Sequence, residues 1–188
     1  MVKVLIVYAG DYGSTEKMAQ ACAEGVEKVE GAEALVKHAD KVRLEDMRDS
    51  DGVIIGTPVH MGSMDWRIKK MIDGVCSGLW MQDLMNGKVA GVFTTGSGFG
   101  NAGGGCELTM LSLLNNFAEL GMLIVPLPKI TDNYGQGGHH WGPYGRSADQ
   151  NMKHTGVTDE ALSVAGSHGA NVARAAIAVQ GADIFINE

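Results

Sequence analysis

Positive charge is in short supply in this sequence, and cysteine and aromatic residues are scarcer still. Lysine and arginine total 15 against 22 aspartates and glutamates among 188 residues, and they form no block. The chain therefore offers little to neutralise a phosphate backbone, and no nucleic-acid partner is expected. Three cysteines, Cys22, Cys76 and Cys106, are odd in number and widely spaced. That excludes a disulfide framework and a cysteine-cluster metal site, and no metal centre is expected. No apolar run approaches the roughly 20 residues of a membrane span. The start MVKVLIVYAG is too short and too strand-like for a secretory leader, and Asp11 interrupts it early. We expect a reduced, cytoplasmic protein without a membrane partner. Glycine is the residue in excess, with 27 copies that gather at turns rather than in a fixed period.

With 45% hydrophobic residues the chain is not a disordered one, and its length fits one domain over residues 1–188. Strand-length apolar runs alternate with helical patterns. The strands are expected at 3–8, 33–38, 52–57, 88–95 and 121–127. Several are nearly continuous Val/Ile-rich runs, as strands buried on both faces of a parallel sheet should be. Helical stripes lie between and after them: Met18, Cys22, Val26 and Val29; Ile68, Met71, Ile72 and Val75; Leu111, Leu114, Phe117 and Ala118; and Leu162, Ala165, Val172, Ala173 and Ile177. The last opens on Thr158 as N-cap, with Asp159 and Glu160 in the first turn. Five βα units in series predict an α/β, doubly wound, five-stranded parallel sheet with helices on both faces. A long stretch of weak periodicity, residues 129–157, follows the fifth strand. Such a stretch inside a compact domain is usually functional, a lid or a contact surface.

In an open parallel sheet, ligands bind beyond the carboxyl ends of the strands. Three glycine-containing loops leave those ends: AGDYGST, TPVHMGSM and TTGSGFGNAGGGCE. The first also starts a helix, where unpaired N–H groups and the positive dipole end favour an anion, and Ser14 and Thr15 add hydroxyls. An ordinary N-cap in a tight turn would use the same residues. No Gly-Lys-Ser/Thr follows, so this is not a Walker loop, and the three-glycine dinucleotide fingerprint is incomplete. A loop without lysine or arginine suits a monophosphate better than a triphosphate.

These segments resemble a known family. IVYAGDYGSTEKMAQACAEGV is similar to the FMN phosphate loop of flavodoxins. GTPVHMGSM, SGLW, GMLIVP and GPYG, in that order, resemble the WrbA-type multimeric flavodoxins, which are NAD(P)H:quinone oxidoreductases. The resemblance implies a flavodoxin-like sheet of order 2-1-3-4-5, FMN as cofactor, NADH or NADPH as co-substrate, a quinone as acceptor and a homo-oligomer, dimer or tetramer. Carried over by position, it implies a phosphate loop at Gly10, Asp11, Tyr12, Gly13, Ser14 and Thr15. It puts one ring-binding loop at Thr57, Pro58, Val59, His60, Met61 and Gly62, and a second at Thr94, Thr95, Gly96, Ser97 and Gly98. Trp80 matches the tryptophan that flanks the flavin from a neighbouring subunit. The chain departs from the family at four places. Gly10 stands where a serine is usual, the loop beyond Gly98 is longer, the segment between the second and third strands is shorter, and Glu119 and Leu120 replace a histidine pair.

Other residues invite chemistry without completing a pattern. Adjacent His139 and His140 should point to opposite sides of an extended chain, which favours a loop or interface role over a metal site. Cys106 precedes a helix whose dipole could lower its pKa, but a small buried residue beside a glycine run explains it as well. Met61, Met64 and Met81 are expected near the pocket. Tyr12, Trp80, His60 and the 134–145 loop are expected to line a slot shared by nicotinamide and quinone. Trp141, Pro143 and Tyr144 are expected to meet a neighbouring chain. No catalytic triad or paired carboxylates are legible, as when a cofactor carries the chemistry. The alternative is a flavodoxin-type carrier passing single electrons to a protein partner. An iron–sulfur flavoprotein would need closely spaced cysteines that are lacking.

Overall fold

A computed structural model describes residues 1–185. In chain order it contains β1 (Val2–Tyr8), α1 (Ser14–Glu27), β2 (Ala32–His38), α2 (Leu44–Arg48), β3 (Gly52–His60) and β4 (Ser63–Met64). There follow α3 (Trp66–Met71), α4 (Ser77–Trp80), β5 (Val89–Gly96), α5 (Cys106–Glu119), β6 (Leu123–Ile124), α6 (Tyr134–Gly137), β7 (Gly138–His139), β8 (Gly142–Arg146) and α7 (Asp159–Val179). A π-helical turn, Ile72–Cys76, joins α3 to α4.

The sheet runs β2-β1-β3-β5-β8-β7, and its long central strands pair in parallel. The doubly wound α/β architecture is as expected. The strands read as continuous apolar runs because both faces are covered: β5 is buried over nearly its whole length, and β3 from Gly52 to Thr57. On one face Leu5, Val7, Val53, Ile55 and Val92 pack with Ile68, Leu79, Met110, Leu113 and Phe117. On the other, Val4, Ile6, Ile54 and Phe93 meet Met18, Cys22 and Val26 of α1 and Ala165, Val172 and Ala173 of α7. Gly56 makes room for the Phe93 ring, since a Cβ there would lie 1.8 Å from Phe93 Cζ.

Two stripes are rotated from their expected faces. In α5, Leu111 and Ala118 are exposed and the buried side is Thr109, Met110, Leu113, Leu114 and Phe117. In α7, Ile177 is exposed while Val164, His168 and Ala176 face inward. Thr158 caps α7 as expected, its hydroxyl accepting from Ala161 N at 3.3 Å.

The fifth strand is the main difference from expectation. Its position beside β5 is filled by two separate pieces. β6 pairs with Val89 and Ala90, and β8 pairs with Thr94, Thr95 and Gly96. The chain leaves the sheet at Pro126 and Pro128, which lack the N–H a ladder needs. It forms α6 and the β7–β8 hairpin and returns at Gly142. Part of the 129–157 segment is thus sheet. Pro143 is buried there, and Trp141 and Tyr144 are half-buried against the chain's own core.

Candidate functional site

At the carboxyl ends of β1, β3 and β5 lies a cleft of about 400 Å³. Its first wall is Gly10, Asp11, Tyr12, Ser14 and Thr15. The N-cap of α1 is Gly13, with φ +79°, and no side chain caps the helix. The first intrahelical bond is Lys17 N to Gly13 O, at 3.0 Å. The N–H groups ahead of it keep the orphan character that makes a helix start an anion site. The hydroxyls are directed elsewhere than to the helix: Thr15 Oγ1 lies 2.8 Å from Thr95 Oγ1, and Ser14 Oγ lies 3.2 Å from His154 Nε2. This is not the geometry of an N-cap. Gly10 has φ +150°, and a Cβ there would lie 2.9 Å from Thr15 Oγ1, so the serine usual in the resembled family would displace a loop hydroxyl.

The second wall is Pro58, Val59 and His60. Thr57, buried behind them, accepts from Asp65 N at 2.9 Å and donates to Pro58 O at 3.0 Å. Asp65 is fully buried and accepts from Arg67 N, Nε and NH2 at 2.8, 2.8 and 2.6 Å. The same guanidinium makes two bonds to Asp11, at 2.8 and 2.9 Å, tying the loop after β1 to the loop after β3. The Arg67 hydrogen bonds hold both carboxyls below the usual carboxylate range, and they keep Arg67 firmly protonated. Asp11, His60 and Asp65 offer ligand atoms within 4.8 Å of one another, but Arg67 already balances both acids.

The third wall combines Thr95, Gly96 and Ser97 with Ser147, Met152 and His154. Arg146, the last residue of β8, donates to the carbonyls of Ser97, Gly98, Asn101 and Ala102 at 2.6, 3.1, 2.7 and 3.0 Å. One guanidinium thus organises the lengthened loop after β5. Tyr144 supports it from behind, donating to Gly96 O at 3.2 Å.

Eleven of the eighteen positions singled out in the sequence meet in this cleft. Thr57 and Gly13 shape it from behind, and Met61 stands fully exposed beside His60. Gly62 packs against Gly105, Gly98 turns the loop with φ +61°, and the buried Thr94 hydroxyl has no partner. Trp80 lies outside: 52% exposed, it lines a separate hollow with Cys76, Asn116 and Glu119. Met81 is exposed next to it, away from the cleft. The 134–145 loop does not line the cleft either; residues 135–138 border another hollow with Tyr144 and Arg146. The lining comes from the turn just beyond, at Ser147, Met152 and His154, which carries no motif of its own.

His139 and His140 do not diverge: their rings stack at 4.3 Å, and His139 Nε2 meets Glu107 Oε1 at 2.9 Å. Cys106 is buried at the start of α5, and burial pushes its thiol up rather than activating it.

A flavin mononucleotide fits this donor set. An uncapped helix start with nearby hydroxyls suits a monophosphate, and the wall of Pro58, Val59 and Gly96 suits a flat ring. Among the described residues no helix is long and apolar enough to cross a membrane.

Comparison with known proteins agrees with this geometry. A flavodoxin of Aquifex aeolicus is 37% identical over 124 residues, 66% of this chain and 64% of that protein, so the match spans a little under two thirds of the relative. A WrbA-like flavodoxin from Agrobacterium tumefaciens superposes with a TM-score of 0.73 at 25% identity, covering 95% of this chain and 99% of that one. A flavodoxin from the domain Archaea shares the fold, with a TM-score of 0.65 at 18% identity over 94% of this chain and 99% of its own. The family model for NADPH-dependent FMN reductases matches residues 36–136, just over half of the sequence, and the chain belongs to that family.

Proposed function

We propose that this protein is an FMN-dependent oxidoreductase that takes two electrons from NADH or NADPH and delivers them to a quinone. The observation that carries the reading is the uncapped start of α1 opening into a cleft between two ring-sized loops. When bound, FMN supplies hydride acceptance and two-electron release. The protein's residues bind and orient. The N–H groups of the first turn of α1, with Ser14 and Thr15, hold the phosphate. Pro58 and Val59 give the ring an apolar wall, and Thr95, Gly96 and Ser97 close its other edge. Tyr12 and His60 border the open side where nicotinamide and quinone would take turns. In this reading the chain works as a homo-oligomer in the cytoplasm. Trp80 lies away from its own cleft, and in this reading it would wall the flavin slot of a neighbouring copy.

Anaerobic mixing tests this directly. With FMN bound, NADH or NADPH should bleach the flavin absorbance and benzoquinone should restore it, with parallel lines in double-reciprocal plots. The Aquifex aeolicus relative bears the name flavodoxin, which favours a second reading as a single-electron carrier. Failure of both nicotinamides, with a stable one-electron reduced state, would select that reading.

A further inference from the structure

The loop after β1 carries no lysine or arginine, yet its reading as a phosphate site asks it to hold a doubly charged group. It even contains an acid, Asp11. The structure removes that obstacle through Arg67, whose guanidinium is committed to Asp11 and Asp65 together. Among the described residues, no lysine or arginine lines the cleft. Besides Arg67 at Asp11 and Thr95 at Thr15, a third side chain reaches this loop from elsewhere: His154, whose Nε2 lies 3.2 Å from Ser14 Oγ across 140 positions of sequence.

His154 is well placed to serve. It stands on a turn fixed by its own bonds. Asp149 Oδ1 accepts from Asn151 N and Lys153 N at 2.9 and 3.0 Å, Asp149 N donates to Lys153 O at 2.9 Å, and Ala148 bridges to His154. The base of the turn is pinned to the sheet, because Ser147 N donates to Gly96 O at 3.0 Å. On its other side the imidazole lies against Tyr12, with ring centroids 5.9 Å apart. In this contact one atom donates and the other accepts, according to the imidazole tautomer; the serine hydroxyl, and the imidazole when Nε2 carries its proton, can each donate to an anion instead.

We propose that His154 is a phosphate-recognition residue, supplying from the segment after β8 a side-chain donor to add to the N–H groups and hydroxyls of the loop after β1. This rests on the FMN reading above. It makes the 147–155 turn a specificity element: the chain separates phosphorylated from unphosphorylated flavin partly through a residue outside the flavodoxin-like motifs.

The test compares FMN with riboflavin, which has the same ring and no phosphate. Each is titrated into the flavin-free full-length protein by fluorescence quenching, for the native chain and for His154→Ala, His154→Gln and Lys153→Gln, with folding checked by thermal unfolding. His154→Ala should raise the Kd for FMN about tenfold or more, the scale of a hydrogen bond to a charged group, and leave that for riboflavin unchanged. His154→Gln, which keeps a donor, should recover part of the loss. Lys153→Gln should leave the ratio of the two affinities as it is. Equal weakening of both flavins, or an unmoved FMN affinity, would overturn the role of His154 while leaving FMN binding intact. A native chain that binds neither flavin would overturn the FMN reading and this proposal together.

Discussion

His168 is the polar residue that the fold treats least kindly, and acid should reveal it. It lies in the middle of α7 with no exposed surface, and neither ring nitrogen has a partner. A Cβ on Gly91 would come within 2.7 Å of its Nε2, so the imidazole packs directly against β5 where glycine leaves room for it. Burial pushes its pKa down to about 4 from the ordinary 6.5. The folded state therefore holds His168 neutral where the unfolded chain already binds a proton. Stability from this residue is intact above about pH 6.5, falls as the pH drops, and levels off below about 4. At about 1.36 kcal/mol per unit, the loss across that window is about 3 kcal/mol, a large share of a typical folding free energy. Carboxylates also titrate toward the acid end, so the measurement is a difference. Urea unfolding of the native chain and of His168→Leu should be followed at pH 7, 6, 5 and 4.5. The variant should gain on the native protein steadily as the pH falls, with unchanged m-values. Parallel stability curves over that range would refute the argument.

Three other outcomes follow from the geometry. Replacing Arg146 with methionine leaves four loop carbonyls without their shared donor; it should lower stability by about 1–3 kcal/mol and expose residues 97–102 to limited proteolysis. Thr15→Ala, which removes a hydroxyl from the first wall, should weaken FMN binding by about 1.5–3 kcal/mol in a fluorescence titration. Trp80→Ala should reduce quinone turnover more than FMN affinity, and light scattering should show an oligomer in the native protein; a monomer with undiminished turnover would remove Trp80 from the site.

The parallel core is readable because strands covered on both faces must be apolar along their buried middles, and those of β1, β3 and β5 are. The phosphate and ring loops were readable because glycines and hydroxyls at strand ends are unusual enough to mark a site. The fifth strand is not readable in the same way, since GMLIVPL looks like an unbroken strand while Pro126, with Pro128 just beyond it, sends the chain out of the sheet. The stripes of α5 and α7 were placed off by part of a turn because small or polar residues, Thr109 and His168, sit on buried faces that apolar counting overlooks. His154 and Arg146 gave no signal at all. Each acts through a contact some 45 or more positions away, and nothing local distinguishes a histidine aimed at a hydroxyl from one in water.

The divided edge strand has an architectural corollary. Ile124 stands opposite Ala90 and Tyr144 opposite Thr94, so only positions 91–93 separate the two pieces along β5. Three linking residues in place of 125–143 would fuse β6 to β8 as one uninterrupted strand and leave the 147–155 turn rooted where it is. The excursion through α6 and β7 is nonetheless no loose appendage: Leu127, Pro143 and Trp141 pack into the body of the protein, and Gly137 lies against Ala161 of α7. The gap in the edge strand is therefore filled from outside the ladder: side chains of the excursion cover the sheet where its backbone has left it.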